Sequence, residues 1–586
     1  MQAKGGSRAR GRRPGAVAVA VSITAGLLGL AGAPALAAPA VISTPAPTAS
    51  IADGVALTVI VPITAPADAG GLLSSASLTE YTATAPLGML TRQLDAVVGT
   101  GAVIAIDPMI LASIRVLGST APASAREWLA RFESAPNERF ALPYADADPT
   151  LFTASSAGSL PSPLGFGFAI DPANFAAPVA DPTPEPTPTT TPVTTPTPTP
   201  DPSAPPAVPT DDEVVAVPGA IDGIVWPRAG TATEADLGLL GGNALILSTT
   251  DVADAASIGG LGTLGDRPTM IASGEVADAM VNASRTLDEA SWLAAVADAR
   301  ASIADAVAAQ SGSAGVVVVA LDRLDAANAA RLPATLAELA ADGTIRLTGL
   351  TELVEGAASA PAATLVPGAQ DPERVATINT RLSGESAAAG FSTATANPAL
   401  VTDPARLATL ALGSQSWIGR TDWPTVVGES LAGIDALLAS VRVVDATFQF
   451  FADRSVLPIS IQNDGPQAVT LLVTAQPRTG LLDIDVESVE LTVPAGSLAT
   501  AEFAATAVSN GTVLVTVTLV SPTGVPIGAP AIADVNVQAG WETPIVAAAA
   551  VAVGVLLIFG IVRTIRRVRA RPARDELTDG TNTTDG

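Results

Sequence analysis

An uninterrupted run of 19 uncharged, mostly apolar residues, Pro544 to Val562, constrains this chain more than any other feature. As an α-helix rising 1.5 Å per residue it reaches roughly 28 Å, about the thickness of a bilayer's hydrocarbon core. Arg563, Arg566, Arg567, Arg569, Arg571 and Arg574 follow at once. A buried core helix has no use for six arginines on one flank, whereas a membrane-spanning helix keeps such a cluster on the cytoplasmic side. The expected topology is a single span at 544–562, a basic cytoplasmic tail at 563–586, and everything earlier on the outer face of the membrane.

The opposite end agrees. Lys4, Arg8, Arg10, Arg12 and Arg13 precede an apolar stretch from Ala16 to about Leu30, and Ala35-Leu36-Ala37 offers small residues for cleavage. That order marks a removable secretory signal over residues 1–37. Pro14-Gly15 stands where a twin-arginine signal would carry bulky apolar residues, which favours the general secretory route.

Of 30 basic and 56 acidic residues, eleven basic and four acidic ones lie in the signal and the tail. The segment between them therefore carries 19 basic against 52 acidic residues, a net charge of −33. Such a surface repels nucleic acid and anionic lipid and keeps a domain soluble beside a membrane. The absences exclude more. With no cysteine there is no disulfide and no thiol chemistry, so an exported chain must be stabilised by packing alone. With no histidine, the usual base of Ser-His-Asp sites and the imidazole ligands of typical zinc centres are missing. The one lysine, Lys4, leaves with the signal, which removes Ser-Lys pairs, Schiff bases and a P-loop lysine. No cofactor is implied, and any catalysis would have to use carboxylates.

After a Pro/Thr/Ser-rich leader at 38–55, apolar runs alternate with amphipathic stretches. Ala56 to Val61, Ala102 to Ile106 and Phe140 to Leu142 read as buried strands, with helices near Leu87 to Val97 and Ala125 to Glu133. Residues 178–210 are repeated Thr-Pro pairs and read as a disordered, polyproline-like spacer. Beyond it the alternation resumes: strands at Ile221 to Trp226, Ala244 to Leu247, Thr269 to Ala272, Val316 to Ala320 and Thr344 to Leu347, with helices near Asp288 to Ala309 and Ala334 to Ala341. Three strands before the spacer and five after it favour one α/β barrel, 56–177 and 211–370, interrupted by the spacer, over two separate domains. Residues 371–445 look helical. From Thr447 the period becomes two, with turns at Asn463-Asp464-Gly465 and Pro522-Thr523-Gly524, which reads as an immunoglobulin-like β-sandwich over 446–540.

Several short stretches carry a resemblance: Ile106-Asp107-Pro108, Glu127-Trp128-Leu129, Leu142-Pro143-Tyr144-Ala145-Asp146, Val225-Trp226-Pro227, and Leu457-Pro458-Ile459-Ser460-Ile461-Gln462-Asn463-Asp464. Together they resemble an uncharacterised actinobacterial family of secreted, C-terminally anchored proteins with a domain of unknown function, often encoded beside a lipid II flippase. The resemblance implies a role in cell-envelope biology and supplies no catalytic residues. More distantly, the barrel resembles those of polysaccharide deacetylases and some glycoside hydrolases; the histidines that bind metal in the deacetylases have no counterpart here.

Barrels of this kind place functional groups at the C-terminal ends of their strands. Those ends give Asp107, then Tyr144, Asp146 and Asp148, then Trp226 and Arg228, then Asp251, Glu275, Asp322 and Arg323. Two carboxylates, Asp107 with Asp146 or Asp148, could serve as acid and base of glycoside hydrolysis. Arg228 or Arg323 could grip an anionic group, and Trp226 is the tryptophan best placed to bind a ligand. The plainer readings are that Asp107-Pro108 and Asp148-Pro149 start turns, and that Asp322 and Arg323 form a structural ion pair. The Asp146-Ala147-Asp148 and Asp483-Ile484-Asp485 spacings are of a calcium-ligating kind but lack the glycine-bearing loop, and no metal is expected. Trp541 falls at the membrane boundary, where aromatic belts form. The reading favoured is a non-catalytic envelope protein that binds a cell-wall glycan, a lipid-linked precursor or a membrane-protein partner. The alternative is a carboxylate-dependent glycoside hydrolase.

Overall fold

The computed structural model describes residues 54–175, 207–242, 244–311, 315–323, 325–445, 447–450, 454–538 and 542–569. The signal, nearly all of the leader, most of the Thr/Pro segment, Trp541 and the tail beyond Arg569 lie outside the described residues.

Eight short strands run parallel in one sheet: β1 (Val55–Ile63), β2 (Val103–Ile106), β3 (Arg139–Ala141), β4 (Ile224–Val225), β5 (Ala244–Ser248), β6 (Arg267–Ala272), β7 (Val316–Ala320) and β8 (Ile345–Leu347). All eight strand positions expected from the apolar runs are occupied, and strands from both sides of the Thr/Pro segment share the sheet. Its order is β3-β2-β1-β7-β6-β5-β4, with a ninth strand, Leu261–Leu264, antiparallel to β6. A regular eight-stranded closure is not what forms. The five-pair ladder of Ala56–Ile60 with Val316–Ala320 joins β7 directly to β1, and three-residue β8 is left beside the first residues of β1, Val55 to Leu57. The sheet nevertheless curls until its edges approach. Ala220, just before β4, bridges Arg139 of β3, and the Ile221 N–H donates to the Arg139 carbonyl at 2.8 Å.

The two-residue period of a strand sorts the side chains between two cores. Ala56, Ile60, Val103, Ala105, Ile246 and Val318 pack with one another inside the curl. Their neighbours Leu57, Val59, Ile104, Ile106, Val317 and Val319 face the helices outside. Helices Pro108–Arg115, Ala123–Ser134, Gly274–Arg285 and Glu289–Ala308 cover that outer face, and Trp128 and Trp292 are buried core residues there. A polar backbone buried on both faces of a parallel sheet needs this continuous apolar content.

Helices Pro372–Ser392, Ala399–Leu412 and Trp423–Leu438 follow. Two sheets then face each other. One has four strands, with Arg454–Asn463 and Ser497–Ala507 at its centre; the other has five, with Gly511–Val520 between Val469–Pro477 and Ala531–Val537. Alternate residues of both sheets, among them Leu457, Ile459, Ile461, Val473, Phe503 and Val515, make one sandwich core. The expected turn after Asn463 is held by that side chain, which is fully buried: its Nδ2 donates to the Gln467 carbonyl at 2.7 Å and its Oδ1 accepts from the Gly465 N–H at 3.0 Å.

Helix Glu542–Arg569 ends the described chain. Within its stretch Ile545–Arg569 an 18-residue window has a mean hydropathy of 3.0 and is not buried; among the described residues this is the one helix long and apolar enough to cross a membrane. Water does not tolerate such an uncovered apolar cylinder, and a bilayer does.

Candidate functional site

At the C-terminal end of the curled sheet lies a cavity of about 630 Å³, in the size range of ligand clefts. Five of the ten residues put forward from the strand ends line it: Asp146 after β3, Trp226 and Arg228 after β4, and Asp322 and Arg323 after β7. Ser273, the N-cap of helix Gly274–Arg285, adds a hydroxyl after β6.

The centre of the cavity wall is a three-part stack. The Arg323 guanidinium reaches Asp146 through two contacts, Nε to Oδ2 and Nη2 to Oδ1, both 3.3 Å. Its Cζ also lies over the Trp226 ring, 3.9 Å from the centroid. Planar guanidinium, carboxylate fork and indole face suit one another geometrically and electrostatically. Asp146 can face this way because the turn before it is left-handed, with φ of 59° at Ala145 and 46° at Asp146. Aspartate is one of the few L-residues that accept that backbone region. Burial pushes the Asp146 carboxyl above the usual carboxylate range, while the charge and hydrogen bonds of Arg323 pull it back. Trp226 is 8% exposed with a cation over one face, so it presents little free ring for a sugar to stack on.

Asp107 and Asp148, the other two carboxylates put forward as acid or base, do not line the cavity. Each Asp-Pro pair begins a helix, with aspartate as N-cap and proline as the first helical residue. Asp107 is fully buried; its Oδ1 accepts from the Met109 N–H at 2.9 Å, and its Oδ2 has no hydrogen-bond partner among the described residues. Burial drives its carboxyl well above the usual range, the Met109 amide opposes this, and the nearby Asp146 charge adds to it. Asp148 is also fully buried. Its Oδ1 accepts from the Thr150 N–H at 3.1 Å and the Thr150 hydroxyl at 2.7 Å, and its Oδ2 from Gln370 Nε2 at 3.0 Å, with Arg228 Nε 3.6 Å away.

Asp322 and Arg323 do not pair with each other: Arg323 turns to Asp146, and Asp322 is exposed without an ion pair among the described residues. Tyr144 donates to the Gly71 carbonyl at 2.6 Å, and Asp251 accepts from the Gly230 and Ser248 amides at 2.6 and 3.0 Å; both hold loops together. Glu275 lies in the first turn of its helix. Asp146 and Asp148 are turned to different partners, and no group of three acidic side chains among the described residues is arranged to hold a metal ion.

Gln415, Ser416, Ile418 and Arg420 also line the cavity, and Gln415 Nε2 donates to Asp146 Oδ1 at 3.4 Å. They come from the connection after helix Ala399–Leu412, which has no strand-end register to betray it; the neighbouring Trp417, with Arg420 stacked 4.2 Å from its ring, is the sole hint in that stretch. A second, smaller cavity of about 230 Å³ lies between that helical region and the sandwich, lined largely by apolar side chains such as Phe391, Val401 and Ile434.

A family model described as "Family of unknown function (DUF6049)" matches residues 40–574. No curated protein matches the chain. Among solved structures, the C-terminal part of α2-macroglobulin from Escherichia coli is similar at 20% identity with a TM-score of 0.15, covering 17% of this chain and 16% of that one. WR4, a Caenorhabditis elegans MSP family member, is similar at 10% identity with a TM-score of 0.14, covering 17% of this chain and 98% of that one. The YadV chaperone gives 14% identity and a TM-score of 0.14, covering 17% and 52%.

Proposed function

Because the chain belongs to a family of unknown function, DUF6049, its role has to be read from its own cavity, and we propose that it is a single-pass, membrane-anchored envelope protein that binds a polar ligand there without cleaving it. The ligand class is a cell-wall glycan or a lipid-linked precursor, presented to a domain held outside the membrane with the basic tail inside.

One observation carries this reading: the carboxylates put forward as acid and base, Asp107, Asp146 and Asp148, are committed to structure. Hydrolysis of a glycosidic bond needs an acid and a base facing one substrate. Here Asp107 and Asp148 are buried N-caps, and Asp146 is held by Arg323. What the cavity offers instead is a rigid set of donors and acceptors, suited to holding hydroxyl and amide groups. The hydrolase alternative draws on a single feature, the Asp107 carboxyl raised by burial beside Asp146, which is how a general acid is prepared.

The test is a titration of the full chain in lipid nanodiscs with size-fractionated cell-wall glycan. Gln415→Ala and Trp226→Ala are expected to weaken binding about tenfold each, as losing one polar anchor or its support does. Binding unaffected by both changes would remove the cavity from the account.

A further inference from the structure

One cation at the wall of the cavity keeps most of its hydrogen-bond donors free. Arg323 is matched by Asp146 in a two-point fork, one cation to one carboxylate. Arg228 is not matched in this way. Its carboxylate, Asp148, stands 3.6 Å from Nε, beyond hydrogen-bond distance, and already accepts from the Thr150 amide and hydroxyl and from Gln370. Of the five N–H donors of Arg228, one meets an acceptor among the described residues, Gln370 Oε1, at a long 3.4 Å. Asp148 is shared besides. Arg374, in the first turns of helix Pro372–Ser392, is 7% exposed and close enough for the charges of both Asp148 and Arg228 to act on it. It donates to the Ser414 carbonyl at 3.3 Å, and its Nε has no partner. Arg228 and Arg374 thus share Asp148, and Asp371 acts on Arg374 as well. Arg374 is sealed from solvent, so the donors left free are those of Arg228, whose side chain is 30% exposed and lines the cavity.

Asp278 and Asp322 line the same cavity, but the ion pair Arg228 forms among the described residues is the loose one to Asp148 at 3.6 Å. A guanidinium with free donors at the wall of a cavity is the arrangement that accepts a carboxylate or phosphate oxygen pair. We propose that Arg228 is an anion anchor, and that the ligand of this cavity carries one carboxylate or phosphate group seated against it. The inference rests on the reading of the cavity as a ligand site and narrows the ligand from any polar glycan to an anionic one. Arg323, the other arginine singled out from the sequence, is then a positioning residue that holds the Trp226 wall and not the group that meets the anion.

Two measurements on the full chain in nanodiscs test this. The first is a phenylglyoxal footprint, read by peptide mass spectrometry, with and without inorganic phosphate. Phosphate should slow modification of Arg228 severalfold and leave Arg454 of the sandwich, whose side chain is 74% exposed, unchanged. The second is calorimetric titration with glucose, glucuronate and glucose 6-phosphate at low and high salt. The two anionic sugars should bind about tenfold or more tightly than glucose, an advantage abolished by Arg228→Gln, as expected for losing one charge-assisted contact. Arg228→Lys should keep the phosphate preference better than the carboxylate one, because an ammonium is a point charge without a fork; the two sugars thereby report which anion the site prefers.

Equal binding of all three sugars, with no protection of Arg228, would overturn the anion anchor and leave the cavity a neutral-glycan site. Protection by phosphate without binding of any sugar would support the anchor and sink the glycan reading. No binding and no protection would overturn both.

Discussion

Replacing Asp148 by alanine should open the floor of the cavity by an amount that can be worked out from its contacts. Oδ1 caps helix Pro149–Thr153 through the Thr150 N–H at 3.1 Å and the Leu151 N–H at 3.3 Å, and losing such a cap costs about 1 kcal/mol. Oδ2 accepts from Gln370 at 3.0 Å, a hydrogen bond to a charged group worth about 1.5–3 kcal/mol. The Arg228 contact at 3.6 Å belongs to a side chain that reaches solvent and adds little, roughly 0–1 kcal/mol. Two partners are not orphaned: the Thr150 hydroxyl keeps Thr231 at 2.7 Å, and Gln370 keeps Thr150 at 2.7 Å. The total is about 3 kcal/mol of local opening free energy, or roughly a hundredfold. Hydrogen exchange of the peptide covering Tyr144 to Thr153 should speed up by that factor in Asp148→Ala, with the sandwich peptides unchanged. Asp148→Asn, which keeps a capping oxygen, should lose much less. An alanine variant that exchanges at the wild-type rate would refute the assignment of Asp148 to structure.

Other outcomes follow from the buried charges. Burial raises the Asp107 carboxyl, so the folded state holds its proton more tightly than the unfolded one above about pH 4, and stability should fall as pH rises from there toward the raised value; Asp107→Asn, which cannot ionise, should flatten that decline in thermal melts, and a parallel decline in the variant would count against it. Arg381 is 1% exposed, its Nη2 meets the Ala405 carbonyl at 2.7 Å, and its Nε and Nη1 have no hydrogen-bond partner among the described residues. Arg381→Met should therefore leave stability unchanged or raise it by about 1–4 kcal/mol, since Glu385 keeps Arg406 at 2.6 Å; a loss above about 2 kcal/mol would show that the guanidinium is needed. A protease site inserted at Thr191 and cut should leave two pieces that co-elute without denaturant, because β1 to β3 and β4 to β8 share one sheet; separation would contradict that pairing. A reporter fused after Gly586 should be active on the cytoplasmic side, and activity outside alone would reverse the proposed orientation.

The strand positions were legible because a strand buried on both faces must be apolar throughout, and Val316 to Ala320 or Ala244 to Leu247 can hardly be anything else. Closure was not, because it depends on ladder lengths: β8, at three residues, yields its place to the longer β1–β7 ladder, and a single-residue pattern carries no such comparison. The cavity was half legible. Strand ends named Asp146, Trp226, Arg228, Asp322 and Arg323, since every strand of a parallel sheet points the same way. Which carboxylate faces the cavity was hidden in the caps: Asp107 and Asp148 precede prolines, and the proline that starts a helix draws the aspartate into capping it. Gln415 and Arg420 arrive from a connection between helices distant in sequence, so only tertiary contact reveals them.

The central claim, binding without cleavage in the strand-end cavity, is tested most directly by a single incubation of the full chain in nanodiscs with defined cell-wall glycan, followed by both equilibrium binding and mass spectrometry of the sugar. Saturable binding, with the glycan recovered intact and affinity unchanged in Asp107→Asn, is the predicted result. Steady release of shorter products that stops in Asp107→Asn would contradict it and establish a carboxylate-dependent hydrolase instead.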